Sequence, residues 1–163
     1  MPIVIDSLEY QCWHEVGHAT VCLHLGGDVE FIELLDDQKA GGAARARCST
    51  TPDIRQSVAC GGFAAEFYLL RTGRLTQVDE KEIAQTIFRN AAIDREMFFD
   101  RKLGDGESFT KEEDEQFMNL ATQIPRIFPQ YSSRMQQIVS ELLDKRKIDG
   151  KRVRELLFCS ERA

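Results

Sequence analysis

Residues 14 to 18 read His-Glu-Val-Gly-His, and this pentapeptide constrains the chain more than any other stretch. Four residues of α-helix advance about 400° and about 6 Å, so His14 and His18 share one face, one turn apart. The flanks agree with a helix. Leu8, Cys12, Val16, Ala19 and Leu23 recur at helical spacing. Asp6 followed by Glu9 forms a capping-box pattern at the start, and Gly26-Gly27 provides the stop.

The pattern H-E-x-x-H on a helix has a chemical reading. Two imidazoles one turn apart reach a single zinc ion, with bonds of roughly 2.0–2.1 Å. Glu15 is offset by about 100° and reaches a water on that metal. Zinc lowers the pKa of such a water, and Glu15 takes its proton as the water attacks a peptide carbonyl. Histidine is scarce, with three in the chain and two of them in the motif.

A catalytic zinc usually takes three protein ligands and leaves one position open. His24 lies six residues after His18, the spacing of the metzincin pattern H-E-x-x-H-x-x-G-x-x-H. That pattern needs a glycine turn where this chain has Val21. In a continuous helix His24 points about 120° away from the line of His18. Asp79 and Glu80 are acidic candidates at the start of a later helix, where acids also complement the helix dipole.

The rest of the chain reads as one mainly helical domain, residues 1–163, with a small β-sheet (α+β). "VEFIELLDD" and "AGGAARARC" form a two-stranded unit around a glycine turn. Pro52-Asp53 opens a second helix running to Arg71-Thr72-Gly73, and its run "VACGGFAAEFYLL" is small enough for another helix to approach closely. A third helix begins near Asp79, with Ile83, Ile87, Ala91 and Phe98 on its apolar stripe. Gly104-Asp105-Gly106 is a loop. Thr110 and Glu113 cap the next helix, Pro125 and Pro129 interrupt the pattern, a further helix runs to about Lys147, and Asp149 caps a final short helix.

Composition excludes several classes. A net charge of −6 disfavours nucleic acid as a partner. No run approaches the roughly 20 apolar residues of a membrane span, and the N-terminus lacks a secretory pattern. The five cysteines (Cys12, Cys22, Cys48, Cys60, Cys159) are odd in number and form no Cys-x-x-Cys pair. They read as reduced, mostly buried thiols of a cytoplasmic protein, with Cys12, beside the motif, as the exception.

The stretch "WHEVGHATVCLHLGG" resembles the zinc-binding helix of FtsH-type ATP-dependent proteases, whose common form is HEAGHA. "ACGGFAAEFYLL" is similar to that family's GGRAAEE segment, "TQVDEKEIAQTIFRNA" to its TGASNDLEQAT helix start, and "LLDKRKIDGKRVRELL" to its C-terminal LLEKETLDGEEIRELL. The resemblance implies a helical, zincin-like peptidase module with one zinc per chain. It implies a third ligand at the aspartate of the family's "ND" pair. Carried over without a gap, that position is Glu80, with Asp79 as the alternative after a one-residue slip. Glu66 matches the family's glutamate after the small-residue run, with a structural role or a bond to a zinc histidine open to it. No P-loop is present in this sequence, so the expected partners are a polypeptide substrate and either an ATPase acting in trans or further copies of this chain.

The expected function is therefore zinc-dependent hydrolysis of peptide bonds in unfolded or flexible polypeptides, with His14, His18 and Glu80 on the metal and Glu15 as general base. Two alternatives stand beside it. One is a non-catalytic metal-binding or protein-interaction module derived from such a peptidase. The other is a metzincin-like enzyme using His24.

Overall fold

The computed structural model describes residues 2–35, 44–76 and 79–158. It is mainly helical with a three-stranded antiparallel sheet, an α+β arrangement. Helix α1 (Leu8–His24) lies at the centre, and from Val16 to Leu23 every residue is buried. The Ser7 hydroxyl caps it by accepting from the Tyr10 amide at 3.2 Å. The expected Asp6/Glu9 box is thus displaced by one residue. Asp6 instead takes a left-handed backbone, φ 60°, where the chain turns into the helix.

Strands β1 (Asp28–Leu34) and β2 (Ala44–Ser49) pair as expected, with Ile32 opposite Ala46. The glycine turn at 41–42 lies outside the described residues. A bulge between Val29 and Phe31 adds one residue to the alternation, so Val29 and Ile32, three apart, both point inward. Strand β3 (Lys147–Asp149) pairs on the other side of β1 and was not anticipated. Three residues carry too little periodicity to be read as a strand. The order β2-β1-β3 leaves β2 as an edge.

The expected second helix is split into α2 (Arg55–Ala59) and α3 (Gly61–Arg71). Helix α3 approaches α1 backbone to backbone. A Cβ on Gly17 would run into the Gly61 carbonyl and Ala65, and one on Gly61 would come within 2.8 Å of the Gly17 carbonyl. The small residues of "ACGGFAAE" therefore do what their size predicts.

The expected third helix is also two: α4 (Glu80–Asn90) and α5 (Ala92–Phe99), broken at Ala91. Helix α6 (Lys111–Ala121) carries the Thr110/Glu113 capping box as read from sequence. A 3-10 helix (Ile124–Gln130) holds both prolines. Helix α7 (Ser132–Lys145) packs on α1, and α8 (Gly150–Phe158) closes over β1. The Asp149 carboxylate accepts from the Arg152 amide at 2.8 Å, as its capping role requires.

Phe63, Phe98 and Phe117 meet edge to face at 5.5 and 5.4 Å, locking α3, α5 and α6 together. This aromatic knot fixes α5 relative to α1. Among the described residues no helix is long and apolar enough to cross a membrane.

Candidate metal centre

His14 and His18 project from α1 into an open cleft of about 1010 Å³, bounded by β2, α2 and α5. Their Nε2 atoms stand 3.2 Å apart. Asp94, in the first turn of α5, completes the group: Oδ1 lies 3.1 Å from His18 Nε2 and Oδ2 lies 3.3 Å from His14 Nε2. These three side chains form the one group among the described residues able to hold a metal ion through three such ligands.

The hydrogen bonds behind the rings decide what the front can bind. His18 Nδ1 faces the Val58 carbonyl at 2.7 Å, and a carbonyl only accepts, so Nδ1 carries the proton. His14 Nδ1 donates to Glu66 Oε2 at 2.5 Å. Neutral rings so fixed turn both Nε2 lone pairs towards each other and towards a carboxylate. Only a cation or an extra proton relieves that arrangement. Asp94 Oδ2 is buried and has no hydrogen-bond partner. Two ligands on one tetrahedral ion at 2.0–2.1 Å stand roughly 3.3 Å apart, which the 3.1 to 3.3 Å separations match. The residues present fit a metal ion.

Electrostatics agree. Burial pushes the Asp94 carboxyl up, but the two imidazoles more than reverse this and hold it well below the ordinary range. Burial pulls the His18 imidazole down, yet the charge and hydrogen bond of Asp94, with Glu15 and the Val58 carbonyl, raise it to about 9. Glu66 is fully buried, and burial first, then the charge of Asp94, pushes its carboxyl well above the usual value. Two buried carboxyls around two imidazoles make a pocket in want of positive charge.

Glu15 sits beside the group, as the motif requires. Burial raises its carboxyl, while the two histidines draw it back. Its Oε2 accepts from the Ala46 amide of β2 at 2.8 Å. The edge strand therefore orients the Glu15 carboxylate. Gly62 of α3 makes room for the site: a Cβ there would clash with the His14 ring. Behind Glu66, the Asn90 amide donates to Glu66 Oε1 at 3.5 Å and to Asp6 Oδ1 at 2.9 Å.

The third-ligand expectation is corrected. Glu80 is exposed on α4, and Asp79 caps that helix by accepting from the Lys81 amide at 3.0 Å. Neither joins the metal group. Their acidity serves the α4 dipole, and the break at Ala91 starts a second helix whose own first-turn acid, Asp94, reaches the imidazoles. One sequence signal pointed to it. Asp94 falls on the apolar stripe of Ile87, Ala91 and Phe98, where an unpaired carboxylate needs a buried partner. His24 is exposed at the end of α1 and bonds the Tyr131 hydroxyl at 2.8 Å, so the metzincin-like arrangement is absent. Cys12 is fully buried, and burial pushes its thiol up to about 12, so it is no exception among the buried thiols.

Set against known proteins, the chain matches no protein-family model and no curated sequence.

Proposed function

We propose that this chain is a zinc-dependent metallopeptidase of zincin-like, FtsH-type architecture, acting on unfolded or flexible polypeptide. The observation that carries the reading is the convergence of His14, His18 and Asp94 beside Glu15 in an open cleft. His14, His18 and Asp94 would hold zinc, a donor set suited to that ion. Bound there, zinc would supply a Lewis acid that acidifies water and polarises a carbonyl.

The chain's own groups supply the rest. Ala46 holds one oxygen of Glu15, which leaves the other oxygen to take a proton from attacking water and deliver it to the leaving amine. Glu66 and the Val58 carbonyl fix the two rings in the tautomer that presents Nε2. Strand β2 borders the cleft as a sheet edge, which favours an extended peptide as substrate.

The test is cleavage of an unstructured protein by zinc-loaded chain, with Glu15→Gln as control. Cleavage abolished by Glu15→Gln and by chelation, and restored by zinc, supports the reading. One bound zinc without Glu15-dependent cleavage rejects it in favour of a non-catalytic metal-binding module.

A further inference from the structure

Cys22 and Cys48 stand on different elements and meet at the inner face of the sheet. Cys22 lies on α1, one turn beyond His18, and is fully buried. Its thiol donates to the Asp28 carbonyl at 3.3 Å and lies 3.7 Å from the Ser49 carbonyl, so the sulfur sits where β1 begins and β2 ends. Cys48, the residue before Ser49, is half-buried on β2 and pairs with Val29, the residue after Asp28. Alternation along β2 puts Cys48 on the same face as Ala44 and Ala46, packed against the core. From there its thiol reaches Cys22, and the two sulfurs share a hydrogen bond. Gly27 leaves them room, since a Cβ there would come within 2.7 Å of Cys22 Sγ.

One sulfur of the pair is open to reagents. Cys48 lines the cleft that contains the metal group and is the only cysteine among the described residues that do. Cys12 and Cys60 are fully buried, and burial pushes both thiols up. The hydrogen bond from Cys48 draws the Cys22 thiol down against the effect of burial, while the same bond and burial raise Cys48. Proton loss from the pair thus leaves one thiolate, with the remaining proton held between two sulfurs.

We propose that Cys22 and Cys48 are a redox modification site, which a hydroperoxide converts into a reversible disulfide between α1 and β2. A hydroperoxide entering the cleft meets Cys48. The Cys48 sulfur attacks the near peroxide oxygen, the O–O bond breaks, and the Cys48 proton leaves with the alcohol or water so formed. The product is a sulfenic acid. The Cys22 sulfur then attacks the Cys48 sulfur. An S–S bond forms, the S–O bond breaks, and hydroxide departs as water with the Cys22 proton. Two thiols are oxidised and one peroxide is reduced. The bond closes the segment 22–48 and fastens β2 to α1. Ala46, whose amide holds Glu15, lies two residues from the fastened position, so the bond stiffens that bank of the cleft. The site stands whether or not the chain cleaves peptides.

The test treats zinc-loaded protein with excess hydrogen peroxide, followed by intact-mass measurement and non-reducing peptide mapping. Wild type should lose two hydrogens and yield a peptide linked through Cys22 and Cys48, and dithiothreitol should reverse both. The bond should raise the melting temperature by about 5 °C or more and slow hydrogen exchange of the β2 amides. Cys48→Ala, a change at a half-buried position, should show none of these effects. An unchanged mass overturns the site. So does Cys48 sulfinic acid without a linked peptide, a link through Cys12, Cys60 or Cys159 instead, or a link between two chains. A Cys22–Cys48 link that leaves melting and exchange unchanged overturns the stiffening of the cleft. The wild-type linkage is read without any variant, so it decides even where Cys48→Ala fails to fold. Glu15-dependent cleavage is scored separately, and its absence removes the peptidase reading but not the disulfide.

Discussion

Glu66 Oε2 lies 2.5 Å from His14 Nδ1 although 52 positions separate the two residues. A buried carboxyl behind an imidazole fixes the ring's tautomer and orientation. Glu66→Ala should weaken zinc binding by about 10- to 100-fold, measured by competition with a chromophoric chelator. Glu66→Gln keeps an acceptor but loses the charge and should fall between. An unchanged affinity in Glu66→Ala would reduce this residue to a packing role.

The two candidate regions for the third ligand give opposite outcomes. Asp94→Ala should remove zinc from the purified protein, because it deletes the carboxylate facing both Nε2 atoms. Glu80→Ala and Asp79→Ala should retain about one zinc per chain, since neither side chain is in the group. Metal content by emission spectrometry decides, and retention in Asp94→Ala with loss in Glu80→Ala would reverse the assignment.

Gly62→Ala drives a methyl against the His14 ring. The ring must swing away from His18, so zinc affinity should fall at least about tenfold. Overpacking should cost about 1–3 kcal/mol of stability besides. Gly26→Ala is the control: it has open space around it and a φ of 89°, so it should destabilise without touching zinc affinity.

Without metal, the His18–Asp94 pair makes stability depend on pH. The folded His18 value rises from 6.5 to about 9. Its stabilisation is therefore complete below pH 6.5 and is lost as pH climbs through 9, by at most on the order of 3 kcal/mol. Asp94 is shifted the other way, so its contribution holds above its ordinary value and is lost in acid. Chelated protein should melt at lower temperature as pH rises from 6.5 to 9.5. Protons and metal compete for the same nitrogens, so zinc binding should strengthen over that range. A flat melting profile in chelated wild type, or the same slope in Asp94→Asn, would refute the coupling.

Local pattern determined a good deal here. The His14–His18 spacing placed both rings and Glu15 on α1, the small-residue run predicted the close approach of α3, and the Thr110 and Asp149 caps began α6 and α8 where expected. Each rests on residues within a few positions of one another, whose geometry the helix or turn dictates by itself. Tertiary packing chose Asp94 over Glu80: acids start both α4 and α5 for the same dipole reason, the apolar stripe around Asp94 is the one local hint, and the fold sets which start faces the histidines. It also brought Glu66 to His14, Ala46 to Glu15 and β3 to β1. Asp94 meets His18 across 76 positions, held by the Phe63, Phe98 and Phe117 knot. Contacts of that span come from the fit of buried side chains between elements, which no periodicity within one element encodes.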